Sequence, residues 1–471
     1  MDKDKAKRGF KIKVPHTYVI IFFIVLIMSA LTWIIQPGTF DYQQVDVGGT
    51  MRNLVIPGSY HTIDRSEANP TGIIDFAASF HKGAISAAEV VMLIFLVNGA
   101  FHMVIQTGAF NAMLGTLLRK FYGKEKVLVI ILFVMFALCG SLFGMLNEFN
   151  GFFPLFVGLG VALGYDAIWG ASIVALGSYM GFAGGTLNPY NVVVAQTIAG
   201  IPIYSNMGIR IISLIIFCTI SIVWILRYGA IIKKDTSKSF MLGEKPSFTL
   251  DKESLLEYEI TVKHKLVLST VVIALFIIIW GSVTQGWGTI QLAGVFLLMG
   301  IAAAIIDGWN ADKIADEFIK GSENVVFGAL IIGFARAILV VTQEGKIIDT
   351  IIYSLSTTLE GLPEIVAANG MLIMHTIINF FIPSGSGQAA TTIPIMAPIG
   401  DLLGVSREIV CLTFQFGSSF ADLLFPTAGI AIVCGLSGIP LQRWWKFYMP
   451  LFAILFIAEI IIISAAVVIG I

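Results

Sequence analysis

Charge is what this chain has least of. Of its 471 residues, 13% are Asp, Glu, Lys or Arg and 57% are hydrophobic, whereas soluble domains are about a quarter charged. A mean hydropathy of +0.88 excludes the ordinary soluble class. Cysteine is scarce as well. Cys139, Cys218, Cys411 and Cys434 all lie in apolar stretches without metal-ligand spacing, so neither a disulfide framework nor a metal centre is implied. The vocabulary of catalysis is missing too: there is no His-Glu-x-x-His, no paired-aspartate motif, no nucleophile elbow and no phosphate-handling loop. An enzyme is therefore disfavoured and no cofactor is expected. A net charge of −1 identifies no partner by itself, and no nucleic acid is expected.

Long apolar runs are abundant. VIIFFIVLIMSALTWII (19–35), IISLIIFCTISIVWIL (211–226) and LFAILFIAEIIIISAAVVIGI (451–471) approach or reach the ~20 residues that cross a bilayer. The chain reads as an all-α polytopic membrane protein with the lipid bilayer as its surroundings. The first run is too long for a signal-peptide core and no small-residue cleavage site follows it, so it is expected to be a retained helix.

Charge placement gives orientation. Six basic residues in the tail (1–14) put the N-terminus in the cytoplasm. The poorly basic stretch 37–74 then belongs outside, and RKFYGKEK (119–126) inside. A polar connection at 229–265 carries seven lysines and also reads as cytoplasmic. It separates a first transmembrane repeat (15–228) from a second (266–471).

The halves share landmarks in order. Phe80-His81-Lys82-Gly83 recurs as Phe318-Ile319-Lys320-Gly321, and Ala199-Gly200-Ile201-Pro202 as Ser437-Gly438-Ile439-Pro440. Leu176-Gly177-Ser178 matches Phe416-Gly417-Ser418, and Pro189 falls near Pro426. Such ordered matches indicate an internal repeat. Ile201-Pro202 falls outside, whereas Ile439-Pro440 precedes the cytoplasmic anchor Arg443-Trp444-Trp445-Lys446. The copies therefore read as inverted, a signature of secondary transporters.

Each half is interrupted twice. GMLNEFNGFFP (144–154) and IPSGSGQAATTIP (382–394) read as tips of re-entrant hairpins; AGGTLNPYN (183–191) and ADLLFPTAG (421–429) read as breaks in discontinuous helices. Exposed turns cannot exist in hydrocarbon, so these must line a protein-enclosed site. The breaks themselves are assigned to Gly184, Gly185, Pro189 and Pro426. Half-helix N-termini suit a substrate carboxylate, while unwound carbonyls and polar side chains suit an amine or small cation. The candidates are Asn147, Glu148, Asn150, Thr186, Asn188, Asn191, Ser384, Gly385, Ser386, Gly387, Gln388, Asp422 and Thr427. Gly177, Gly181 and Gly185, like Gly140 and Gly144, are spaced for close helix packing instead. Arg336 lies within an apolar run, as a functional cation or a structural charge partner for an acid. Asp166 and Asp401 fall near helix ends, and His102 and His375 read as satisfied core histidines. No Lys or Arg is clustered at the interruptions.

On VALGYDAIWGAS with GFAGGTLNPYN, FARAILVVTQEGKIIDTI, NFFIPSGSGQAATTIPIMAPIGDLLGVSRE and QFGSSFADLLFPTAGI, the chain resembles the dicarboxylate anaerobic carrier family. The likeness is to its YfcC-like branch, the proposed basic amino-acid antiporters. It implies membership of a wider ion-transporter superfamily, inverted repeats, two re-entrant hairpins, homodimers and elevator-type movement. It also points to Ser384, Ser386, Gln388, Glu148, Asn188 and Thr427 as site residues. The branch tends to carry a second acid where this chain has Asn147, and an acid after Gln-Phe-Gly where it has Ser418.

The expected function is secondary transport of a small carboxylate-bearing ion, above all an amino acid, basic and exchanged, across the cytoplasmic (inner) membrane. Glu148 and Asp422 suit an amine or a transported sodium ion or proton, and repel an unpaired dianion. The alternative is a succinate- or fumarate-like carrier coupled to sodium or protons. A channel is disfavoured because no repeated-carbonyl filter is visible.

Overall fold

The computed structural model describes residues 17–47, 50–120, 123–244, 259–285, 287–323 and 325–471. The expected basic tail at 1–14 lies outside them, as does 245–258 in the connection between the halves. In the first half, α1 (Thr17–Ile34) leads to four short strands and then to α2 (Ile73–Ser86), α3 (Ala88–Gln106), α4 (Ala109–Lys120) and α5 (Glu125–Phe143). After a 3-10 turn, Asn147–Phe149, come α6 (Phe152–Ala162) and α7 (Ala167–Ala183). A π turn, Pro189–Val193, then leads into α8 (Val194–Ala199) and α9 (Met207–Lys234).

The second half opens with α10 (Val262–Gln285) and continues through α11 (Thr289–Asp307), α12 (Ala311–Glu323), α13 (Val326–Glu344), α14 (Ile348–Thr357) and α15 (Glu364–Phe381). It closes with α16 (Gly385–Leu403), α17 (Arg407–Ala421), α18 (Ala428–Ser437) and α19 (Leu441–Ile469). Seven helices among the described residues (α3, α5, α9, α10, α11, α15 and α19) are long and apolar enough to cross a membrane. The protein is a multi-pass membrane protein.

Packing is exchanged between the halves. Helix α2 crosses α13 and α12 crosses α3; α1 lies on α13 and α11 on α3. Likewise α6 meets α18 and α16 meets α8, while α7 and α17 pack on each other. The recurring Phe-x-Lys-Gly segments are the crossing residues. A Cβ on Gly83 would strike the backbone of Gly333 and Ala337, and one on Gly321 the backbone of Asn98 and Gly99. Only glycine lets these helix axes approach so closely.

Helix α7 is buried along its whole length and α17 from Ile409 onward. A helix that is small and apolar all round belongs inside. The glycines flagged for packing hold it there: a Cβ on Gly181 would strike the Ala137 backbone, and one on Gly140 the Ser178 carbonyl. Matching residues start the two central helices. Asp166 Oδ1 accepts from Trp169 N (2.9 Å), and Ser406 Oγ accepts from Ile409 N (3.2 Å). Asp401, near the end of α16, pairs with Arg407 at 2.7 Å.

The stretch expected as an external loop is partly β. β2 (Tyr42–Val47) pairs antiparallel with β3 (Thr50–Val55), with Tyr42 opposite Val55, and β1 (Gly38–Thr39) pairs with β4 (His61–Thr62). Phe40 and Val55 pack with Ile378, Ile382 and Ile395. Asp349 of α14 ties the layer down. It accepts from Tyr42 Oη (2.9 Å), Phe40 N (3.2 Å) and Thr39 Oγ1 (3.3 Å).

Candidate functional site

At the first break, α7 stops and the chain crosses Gly184–Asn188 before turning again. A stopped helix leaves carbonyls without their usual donors. Here each one finds a side chain. Asn191 Nδ2 donates to Phe182 O (2.8 Å), Gln415 Nε2 to Ala183 O (2.6 Å) and Gly185 O (3.0 Å), and Ser141 Oγ to Gly184 O (3.2 Å). Asn188 starts the next turn: its Oδ1 accepts from Tyr190 N (2.9 Å) and Asn191 N (3.3 Å) while Nδ2 donates to Gly140 O (3.3 Å). Thr186 N reaches Ser141 O at 3.0 Å. Gly184 sits against the backbone of Leu214 in α9.

Residues of two further interruptions, Gly144 and Gly385, pack against this break. Gly144, at φ +68, caps α5 so closely under Asn188 and Tyr190 that a side chain there would collide. From the other half, the Cα of Gly385 faces the Phe182 ring and Tyr190 O; a Cβ would lie 3.3 and 3.7 Å from them. Ser384 caps α16, its Oγ accepting from Gly387 N at 3.4 Å. Residues Pro383 to Gly387 stay half-exposed. The amides of Gly385 and Ser386 head a 19-residue helix and lie where an anion is favoured. Gln388 is fully buried and holds the hairpin instead: its Nε2 donates to His375 O (2.8 Å) and its Oε1 accepts from Asn379 Nδ2 (3.3 Å).

The second break is finished differently. Its carbonyls are taken by aromatic donors of α19: Tyr448 Oη to Phe420 O (2.9 Å), Trp444 Nε1 to Leu423 O (3.0 Å) and Trp445 Nε1 to Leu424 O (2.8 Å). Ile430 N takes Asp422 O at 2.8 Å, across buried Pro426. What remains are side-chain oxygens. Asp422 Oδ1, Ser418 Oγ, Thr427 Oγ1 and Asn379 Oδ1 are buried without a partner. Three of these residues belong together, because Asn379 Nδ2 donates to Ser418 O (2.9 Å) and the Asn379 side chain also bonds the Asp422 carboxylate. Buried acceptors are rarely left so.

Glu148 is buried, and its Oε2 accepts from Leu146 N at 2.9 Å within its own turn. Asn147 begins that turn, and Asn150 is buried with its Nδ2 unpartnered. Among the described residues no hydrogen bond or ion pair joins Glu148 to Asp422. Arg336 Nε reaches Ser86 Oγ at 3.4 Å, and no carboxylate lies within ion-pair distance of it among the described residues. His102 is satisfied by Glu317 at 3.1 Å. His375 differs from expectation: it is fully buried with both ring nitrogens unpartnered.

No Lys or Arg is clustered at the interruptions in sequence, but folding brings one cation to the first break. Arg210, 1% exposed near the start of α9, donates from Nε to Gln415 Oε1 (3.0 Å), and Gln415 holds the break. It also bonds Ser205 O. Arg210 stands well after the Gly-Thr-Asn-Pro cluster in sequence, and folding brings it back. Ser141, Asn379 and Gln415 were likewise not singled out; only the Gln-Phe-Gly context of Gln415 drew notice.

A helical membrane protein with paired breaks, exchanged packing and unfilled polar groups at the breaks is a membrane transporter. The chain belongs to the C4-dicarboxylate anaerobic carrier family, whose model matches residues 14–468. It is 32% identical to the Escherichia coli (strain K12) protein named "Putative basic amino acid antiporter YfcC", over 97% of each chain. An uncharacterized protein of Haemophilus influenzae is 31% identical over 98% of each. Among solved structures, the YdaH transporter of Alcanivorax borkumensis matches with a TM-score of 0.44 at 12% identity, over 97% of this chain and 99% of that one. MtrF of Neisseria gonorrhoeae, from a class of antimetabolite efflux pumps, matches at 0.44 and 16%, over 96% and 95%.

Proposed function

We propose that this transporter is a secondary carrier exchanging amino acids, basic ones foremost, across the cytoplasmic membrane by alternating access. One observation carries the reading: among the described residues, the second break holds unpartnered side-chain oxygens, one of them on a carboxylate, with no cation bonded to them. An ammonium or guanidinium group, or a sodium ion or proton, supplies what Asp422, Ser418, Thr427 and Asn379 lack. The substrate carboxylate takes the opposite pole, the open amides of Gly385 and Ser386, with Ser384 and Gly387 shaping the tip. Thr186, Glu148, Asn147 and Asn150 line the approach from the first half. Asn188, Asn191 and Gln388 serve by holding the backbone around it.

We read the chain as two inverted repeats, 15–228 and 266–471, joined by a cytoplasmic connection at 229–265. Packing supports the inversion. The start of α7 shares an end with the tail of α9: Asp166 bonds Tyr228 and Ser239, and Lys233 pairs with Glu125 (3.3 Å). The connection then reaches the start of α19 through Arg443 and Glu244 (3.1 Å). The start of α17 instead meets the end of α8, where Arg407 donates to Ala199 O (2.7 Å). Elevator movement and a homodimer are read from the family likeness, and no cofactor is needed.

The test is counterflow in proteoliposomes loaded in turn with arginine, ornithine, a neutral amino acid and succinate. Arginine or ornithine exchange, reduced at least tenfold by Asp422→Asn and by Glu148→Gln, is the expected result. Exchange of succinate alone would overturn the amino-acid reading in favour of a dicarboxylate carrier, for which buried Arg210 and the family's name speak.

A further inference from the structure

A second cavity, of about 590 Å³, opens far from the breaks, between the start of α5, the α6–α7 link and the end of α9. Lys124, Lys126, Lys233 and Lys234 line it, against a single acid, Glu125. Lys233 pairs with Glu125 (3.3 Å) and lies 4.9 Å over the Tyr165 ring, and among the described residues the other three lysines have no acid partner. Tyr165 stacks on Trp169 at 3.8 Å to floor the cavity. The Trp169 indole N–H is buried in this wall against Gly229 and has no acceptor. From the cavity mouth, the outer sides of α5 and α9 continue as exposed apolar residues: Val127, Ile131 and Val134 on one, Val223 and Ile231 on the other.

A basic pocket that opens onto an apolar track matches a phospholipid more closely than a free anion. The charge recognises a phosphate, and the track accommodates acyl chains. Basic pockets between helices on the cytoplasmic side are where anionic headgroups bind. We propose that this cavity holds the phosphate of an anionic phospholipid of the cytoplasmic leaflet, with Lys124, Lys126 and Lys234 as its ligands. The assignment of leaflet rests on the orientation proposed above. A lipid seated there bridges α5 to α9 at the end where the hairpin helices begin, and so bears on how firmly the first repeat's core is held.

Native mass spectrometry of the purified protein tests this. Phosphatidylglycerol and phosphatidylcholine of identical chains are titrated in turn, with inorganic phosphate and glycerol 3-phosphate as competitors. Phosphatidylglycerol should bind at least tenfold more tightly. Replacing Lys124, Lys126 and Lys234 together by Gln should weaken it on the order of a hundredfold, from about fivefold per lysine. Lys313→Gln, on another surface, should leave it unchanged. Equal binding of both lipids, or no loss in the triple variant, would overturn the site. Displacement by millimolar phosphate would overturn the lipid in favour of a soluble anion. Labelling of Lys238→Cys by an impermeant maleimide in whole cells separates the two proposals. Protection from outside supports the leaflet; reaction from outside overturns the orientation, and the lipid titration still decides the site.

Discussion

Gln415 and Asp422 lie on neighbouring turns, and the structure gives them opposite kinds of work. Gln415 engages every polar atom: it accepts from Arg210 and donates to two carbonyls that α7 leaves open. Gln415→Leu strands both carbonyls and the guanidinium, and each stranded group costs about 1–3 kcal/mol. The expected loss is about 3 kcal/mol or more, read as a clear drop in melting temperature in detergent. Asp422→Asn removes a carboxylate with an unpartnered oxygen. Its melting temperature should hold or rise while exchange falls. If the two variants behave alike, the separation between structural and transport roles at the breaks is wrong.

At the level of elements, close crossings and docked layers set the architecture. Gly83→Val and Gly321→Val each drive a side chain into the backbone of the opposite half. Both should destabilise by about 1–3 kcal/mol, and by similar amounts, because each Cβ would meet backbone at a comparably close crossing. Thermal melting of the two variants checks this. The recurring Phe-x-Lys-Gly was legible as a landmark, but not that its glycines mark helix crossings. The breaks were legible because Gly, Asn and Pro interrupt an apolar helix. The β layer was not: its strands are short, polar and alternate weakly. Nor were Gln415 and Arg210, whose partners lie 230 and 205 residues away in the chain. A polar side chain within an apolar run shows a need for a partner but not its address.

The docking of that β layer carries its own pH dependence. Burial pushes the Asp349 carboxyl above its ordinary value, against the pull of Tyr42, Phe40 and Thr39. The folded state then holds the proton more tightly than the unfolded chain. The carboxyl's contribution is complete below its unfolded value near 4 and is lost as pH rises through the folded one. Relative to Asp349→Asn, the native protein should therefore lose melting temperature as pH rises from about 4 through the folded value. A constant difference across that range would mean the hydrogen bonds outweigh burial.

Across the whole molecule, one contact breaks the exchange between halves. Helix α13 packs along α18, and no contact of that extent joins their counterparts α3 and α8. β3 lies on α16, and Phe40 and Val55 share a cluster with Ile382 at its tip and Ile395 along it. On the proposed reading of two inverted repeats, this asymmetry is one end of a two-state cycle whose other end exchanges the environments. That proposal requires the 382–387 segment to leave the β layer during transport. A flexible dithiol cross-link between Val55→Cys and Ile395→Cys should arrest exchange, and reduction should restore it, while binding in this state persists. Unimpeded counterflow in the cross-linked protein would mean that α16 and the β layer travel as one body. The moving boundary would then have to lie elsewhere, along the α13–α18 contact.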